Sequence, residues 1–360
     1  MPCPDPSAPV RVLTLGTGQM GAAIARAVLG TPGLELVGAW ARRSERAGRD
    51  IGQVVGLGHS VGVAIRSDLA AVIGETRPHV AIQATCSRLR DALPELEPLL
   101  TAGVYCVSIA EELAWPAATS PELATRLDTL ARRGGAALLG TGVNPGFVLD
   151  LLPVVLSGAC AAVSRIEATR VNDLSPYGPT VLASQGVGLT PDAFRRGVVD
   201  GTVVGHFGFP QSIAMIARAL GWQVEHIEER REPIVSTVAR ETPFVQVQPG
   251  QVAGCHHAAV ATVAGRPAIA LDHPQQIRPE LAGVDTGDRI EIHGTPGVCM
   301  SGSPEIPGGA ATVALAVNAV PRLLAATPGL HSMLDVPLLA ALPRVDPVVT
   351  APHRARGDAR

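Results

Sequence analysis

The first 145 residues alternate short apolar runs with helical patterns, and that alternation fixes the fold class before any single motif is weighed. "VRVLTL" (10–15), "LELVGAWA" (34–41), "HVAIQAT" (79–85), "VYCVSIA" (104–110) and "AALLGTGV" (136–143) are apolar and of strand length. Helical stretches separate them. "AAIARAVLG" closes at Gly30, and "SRLRDALPELEPLLTAG" carries prolines near its middle. "SPELATRLDTLARRGG" opens on Ser120-Pro121 and stops at Gly134-Gly135. Strands joined through helices run parallel and are buried on both faces. The expected class is α/β, a doubly wound parallel sheet.

Gly16-Thr17-Gly18-Gln19-Met20-Gly21 sits between the first strand and its helix and matches GxGxxG. In that position the motif is a Rossmann dinucleotide fingerprint. Gly16 permits the tight turn, and Gly18 lets backbone approach a pyrophosphate at the helix N-terminus. The end of the second strand should read the adenosine ribose, where an acid would hold the 2′-hydroxyl of NAD. The sequence there is Ala41, Arg42, Arg43, Ser44. An arginine fork suits a 2′-phosphate. NADP(H) is therefore expected as the preferred cofactor, with NAD(H) possible.

Beyond residue 145 the texture changes. "SRIEATRVND" (164–173), "QVEHIEERREPIVS" (223–236) and "DRIEIHGT" (288–295) alternate polar with apolar, as strands with one wet face do. Helices are expected at 191–200 and 210–220, and one long apolar helix at 311–326. The predicted organisation is a Rossmann domain at 1–145 and an α+β substrate and dimerisation domain at 146–310. A C-terminal helical segment at 311–345 is placed to return to the first domain, and 346–360 reads as a flexible tail.

Composition narrows the chemistry. A formal net charge of −3 gives no electrostatic case for nucleic acid. The longest apolar region, 135–163, is broken by Asn144, Pro145, Asp150 and Pro153, so no membrane span is expected. Six cysteines lack paired spacing, which suits reduced thiols in the cytoplasm. All 29 basic residues are arginine, which excludes a lysine Schiff base, a lysine acid or a P-loop lysine.

Ligands of doubly wound sheets bind at the carboxyl ends of the strands. Thr85, Cys86 and Ser87 follow one strand, and Asn144, whose amide would suit a nicotinamide carboxamide, follows another. Glu111 and Glu112 follow a third. Adjacent side chains diverge, so at most one faces the cleft. A carboxylate there could hold a cationic substrate and move protons to and from water, help typically worth about 10²–10⁴ in rate. Equally, two acids can open a helix and complement its dipole. Cys255-His256-His257 alternate faces within a strand and lack a second ligand pair, so no metal is expected.

Together "GTGQMG", "VSIAEELAWP", "GTGVNPGFVLDLLP", "GHFGFPQSIAMIARALGW", "PGQVAG", "GTP" and "VNAVPRLLAATPGL" resemble the 2,4-diaminopentanoate dehydrogenases and native amine dehydrogenases, within the dihydrodipicolinate-reductase-like group. The resemblance spans about residues 11–340. It implies a homodimer and reversible NAD(P)-dependent deamination of an amine to a ketone and ammonia. It also implies a catalytic glutamate of the EEL motif, here Glu111 or Glu112. Asn144, Phe147 and His206 are the candidates for substrate contact. The segment "VNDLSPYGPTVLASQGVG" lacks the basic residues usual in the family, and Gln211 stands where an acid is usual, which leaves room for another amine or imine. A cyclic-imine or carbonyl reductase is the alternative enzyme. A non-catalytic NADP-binding sensor is the alternative outside enzymes.

Overall fold

The computed structural model describes residues 8–344, so the expected tail at 346–360 lies outside the described residues. Six strands of the first domain are β1 Val10–Leu15, β2 Leu34–Trp40, β3 Ile65–Arg66, β4 Val80–Gln83, β5 Tyr105–Ser108 and β6 Ala137–Gly140. Helices α1 Gln19–Leu29, α2 Ile51–Val54, α3 Leu69–Thr76, α4 Leu89–Thr101 and α5 Pro121–Gly134 alternate with them. α5 begins on its first-turn proline and ends where Gly135 turns left-handed, as the sequence predicts. α4 holds both Pro94 and Pro98 inside one helix. Burial of Leu89, Ala92, Leu96, Leu99 and Leu100 against the sheet offsets the lost backbone bonds.

The second domain contributes α6 Leu151–Ser157, β7 Ala162–Asp173, α7 Pro179–Ser184, α8 Pro191–Asp200, α9 Phe209–Leu220, β8 Val224–Val235, β9 Arg240–Thr242, β10 Val245–Val247, β11 Val252–Val263, β12 Arg266–Gln276, β13 Gly287–Thr295 and β14 Val298–Gly302. Six of its strands form one mixed sheet in the order β14-β13-β7-β12-β11-β8, while β9 and β10 pair separately. Only β7 and β12 run parallel within it. Its inward face is apolar at one end, where Ile166, Ala168, Ile269, Leu271, Ile290 and Ile292 pack with Ile213 and Ile216 of α9. At the other end the same face turns polar, through Arg170, Asn172, His257, His273 and Gln275.

The chain then returns to the first domain through α10 Gly308–Asn318, α11 Val320–Leu324 and β15 Gly329–His331. The expected single helix at 311–326 is broken because Pro321, in the first turn of α11, has no N–H to donate. Ala316, Val317, Val320 and Leu323 pack into the same core as Ile24 and Val28 of α1. β15 pairs in parallel with β6 and completes a seven-stranded parallel sheet, β15-β6-β5-β4-β1-β2-β3. No helix among the described residues is long and apolar enough to cross a membrane.

Candidate active site

The carboxyl ends of β1, β2, β4, β5 and β6 share one edge of the parallel sheet, and the candidate residues lie along it. Gly16 has a φ of 107°, open to glycine alone, and a Cβ there would approach the Ala84 carbonyl oxygen to 2.5 Å. A Cβ at Gly21 would come within 2.1 Å of the Gly16 carbonyl oxygen, so the start of α1 lies hard against the loop. A Cβ at Gly18 would meet nothing within 4 Å. The fold itself demands Gly16 and Gly21; the space over Gly18 is open at the positive end of α1, which favours an anion. Gln19 reaches across to the second domain and donates to the Pro176 carbonyl at 3.1 Å. The Met20 sulfur lies 3.8 Å from a Cβ position on Gly309 of α10.

At the end of β2, Arg42 stays half-exposed but is held by Glu95 of α4, and it also donates to the Asp91 carbonyl at 3.1 Å. Glu95 is only 2% exposed and also accepts from Thr85 Oγ1 at 2.5 Å and Gln83 Nε2 at 3.2 Å. Burial pushes the neighbouring Cys86 thiol above its ordinary range. Arg43 and Ser44 are exposed. Arg46, which the sequence reading did not single out, donates to the Thr17 carbonyl of the glycine loop.

The two glutamates part company. Glu112 Oε2 accepts from the Leu89 N–H at 2.7 Å and so caps α4, while its own N–H donates to the Ser87 carbonyl at 3.2 Å. Glu111 makes no such cap. Burial pushes its carboxyl up to about 7; the charge of Glu112 adds to this, while the Ser87 hydroxyl opposes it.

Asn144 follows β6, and both its amide oxygen and its amide nitrogen are buried without a partner. Buried amides are nearly always paired, so this one awaits something that both donates and accepts. Phe147, three residues on, packs between the cores of the two domains. Asp150 fixes this segment by accepting from Gly146 N–H at 2.8 Å, Leu151 N–H at 2.6 Å and Ser212 Oγ at 2.8 Å. His206 lies on the loop before α9, whose Gly208 packs so close to Pro145 that a Cβ would meet the proline ring at 2.5 Å. Gln211 donates to Thr119 Oγ1 at 3.1 Å.

Tyr177, which no sequence motif marks, lies close enough to Glu111 to feel its charge. Its hydroxyl oxygen would stand 2.3 Å from a Cβ on Gly308, where α10 begins. Burial raises the phenol above its ordinary value, and the charges of Glu305, Asp173 and Glu111 act in the same direction against Arg170. His256 and His257 point to opposite faces and pair with Asp272 and Glu229. Among the described residues no group of three or more histidines, cysteines or acids could hold a metal.

Residues 147–347 match the family model described as 2,4-diaminopentanoate dehydrogenase C-terminal domain, and residues 10–107 that of dihydrodipicolinate reductase, N-terminus. The chain is 41% identical over 349 residues to the 2,4-diaminopentanoate dehydrogenase of Acetoanaerobium sticklandii, covering 92% of this chain and 95% of that one. It is 28% identical to an amine dehydrogenase of Streptomyces virginiae, over 93% of this chain and 98% of that one. The solved amine dehydrogenase of Mycobacterium smegmatis superposes with a TM-score of 0.85 at 27% identity, over 94% of this chain and 99% of that one. With a glycine loop open over Gly18, an orphaned amide and a strand-end carboxyl, the residues present fit a nicotinamide dinucleotide. The chain belongs to the 2,4-diaminopentanoate dehydrogenase family and is an NAD(P)-dependent oxidoreductase acting on amines.

Proposed function

We propose that the chain is an NADP-preferring amine dehydrogenase in which Glu111 moves the protons of deamination. The observation that carries this is Glu111 itself, a partly buried carboxyl poised near 7 on the rim shared with Gly18 and Asn144. A group that titrates near working pH can both take and return a proton. Glu112 is committed to capping α4, which leaves Glu111 as the mobile partner.

A nicotinamide dinucleotide, held over Gly18 at the start of α1, would supply the hydride acceptor for oxidation at the amine-bearing carbon. Asn144, with a donor and an acceptor both unpaired, would hold its carboxamide. Glu111 as carboxylate takes a proton from water as the oxygen adds to the iminium carbon. The protonated Glu111 then delivers that proton to nitrogen and accepts the hydroxyl proton as ammonia departs. In reductive amination the same transfers run backwards. Tyr177, raised by burial and by nearby charges including Glu111, stays protonated through neutral pH and can serve as a hydrogen-bond donor.

NADP preference rests on Arg43, Ser44 and Arg46. These surround the end of β2, whereas Glu95, the buried acid closest to hand, is neutralised by Arg42. Arg43→Ala combined with Arg46→Ala should erase the NADP/NAD preference; an unchanged ratio rejects this assignment. The assembly is a homodimer through the outward face of the six-stranded sheet, where Thr169, Ala258, Val260 and Ala270 are small and half-buried. Light scattering reads its mass.

The deciding experiment is ammonia-dependent NADPH oxidation over a panel of ketones. Equal oxidation without ammonia would make the enzyme a carbonyl or imine reductase. NADPH binding with no turnover of any substrate would favour the sensor.

A further inference from the structure

Four buried side-chain polar atoms that lie together in the second domain have no hydrogen-bond partner among the described residues: His206 Nε2, Asn172 Oδ1, Gln185 Oε1 and Gln275 Nε2. Asn172, Gln185 and Gln275 are 4%, 4% and 6% exposed. An unpaired buried polar atom costs about 1–3 kcal/mol, so four together call for a common cause.

They are neighbours. Asn172 of β7 lies opposite Gln275 of β12 in the parallel register. His273 precedes Gln275 by two residues on the same face, and its ring meets that of His206 edge-on at 5.0 Å. Gln185 Nε2 donates at 2.7 Å to the carbonyl of Gly205, the residue before His206. The loop bearing His206 abuts Pro145, next to Asn144. Arg170, two residues before Asn172, lies against Gly308 and Tyr177. The patch therefore forms the second-domain wall between Asn144 and Tyr177.

The charges around it are already committed. Arg170 donates to Asp288 at 2.6 Å and to the Ile306 carbonyl at 2.5 Å. Arg231 pairs with Glu229 and donates to the Val204 carbonyl at 2.7 Å. His257 accepts the His206 backbone N–H at 3.0 Å and bonds Glu229 at 3.0 Å. His273 donates Nδ1–H to the Arg170 carbonyl at 2.6 Å. Burial keeps His206 and His273 neutral, with neighbouring positive charge in the same sense. The Gly205 and Asp173 carbonyls accept from Gln185 and Asn172, which turns the oxygens of both amides toward the space. What remains free is two acceptors, one amide donor and one imidazole nitrogen able to do either.

We propose that this patch is the subsite for the end of the substrate remote from the reacting carbon, and that it takes an uncharged group that both donates and accepts, a hydroxyl or a carboxamide. The proposal rests on the amine dehydrogenase reading above. A carboxylate brings only acceptors against two acceptors and finds no free cation among the described residues of the buried patch, so it is disfavoured. Arg88, exposed and stacked on Phe207 at 5.6 Å, is a cation that a longer carboxylate could meet outside it.

The test is a set of ketones of matched length given to the wild-type enzyme with ammonia and NADPH: 5-hydroxypentan-2-one, 4-oxopentanamide, hexan-2-one and 4-oxopentanoate. The hydroxyl and amide compounds should exceed the carboxylate in kcat/KM by about tenfold or more. Gln275→Leu should lower kcat/KM for the hydroxyl and amide compounds by about tenfold relative to hexan-2-one measured on the same variant. A carboxylate that matches or beats the amide overturns the proposal, and loss of that activity in Arg88→Ala would locate the carboxylate at the mouth instead. Should none of the four be aminated, the amine dehydrogenase reading fails separately. The patch is then read by thermal shift with NADPH and either 4-oxopentanamide or 4-oxopentanoate. A larger shift with the amide supports it and equal shifts overturn it.

Discussion

Replacing Glu111 by glutamine should make the protein more stable and inactive, and the gain should depend on pH. Burial raises this carboxyl from its ordinary 4.5 to about 7. At about 1.4 kcal/mol per pH unit, that interval is worth about 3 kcal/mol. The sign follows from which state binds the proton. Below pH 4.5 the group is protonated folded and unfolded, and it costs nothing. As pH rises toward 7 the unfolded chain ionises freely while the folded chain holds its proton, so stability falls. Above about 7 the full penalty is present. Glutamine carries no such penalty. Denaturant unfolding of Glu111→Gln and wild type at about pH 5 and about pH 8.5 should show the variant's advantage growing by up to about 3 kcal/mol, or several degrees in Tm. Deamination by the wild type should rise with pH through about 7, and the variant should lose turnover while still binding NADPH. Parallel stability curves for the two proteins would refute the claim that the fold disfavours this charge.

Other substitutions separate roles that neighbouring residues share. Gly18→Ala should melt like wild type yet lose most cofactor affinity by titration, because its Cβ has space, whereas Gly21→Ala should lower Tm because its Cβ meets the Gly16 carbonyl oxygen. Glu112→Ala should cost about 1 kcal/mol by removing the cap of α4, with kcat nearly unchanged; a collapse of kcat would reverse the assignment of the pair. Arg42→Ala should cost about 3 kcal/mol by stranding the buried Glu95 charge, and Glu95→Gln in the same chain should restore much of it, both read by denaturant midpoint.

The parallel sheet was legible because its strands are continuous apolar runs between capped helices, and the strand-end loops followed from it. β15 was not. "GLH" carries no periodic signal, and it is a strand only because β6 offers an edge to pair with. Glu111 and Glu112 could be named but not told apart, since what distinguishes them is the Leu89 N–H, 23 residues back in the chain from Glu112. Arg42 has the same difficulty: Glu95, its partner, lies 53 residues away. The polar wall did leave a trace. The inward positions of β7 run Ile166, Ala168, Arg170, Asn172, and those of β12 run Ile269, Leu271, His273, Gln275. Period-two alternation that continues into polar residues marks where a sheet's buried face leaves the core and meets a cleft.

The pairing of β15 with β6 also sets an order of events during synthesis. The second domain is spliced into the first, so Gly329–His331 emerges almost 190 residues after Ala137–Gly140, the strand it covers. Until then β6 presents an open edge, and the core around Ile24 and Val28 lacks Ala316, Val317 and Val320. The nascent cofactor domain must therefore wait, incomplete, while the inserted domain folds, and a segment made after that domain closes both its sheet and its core.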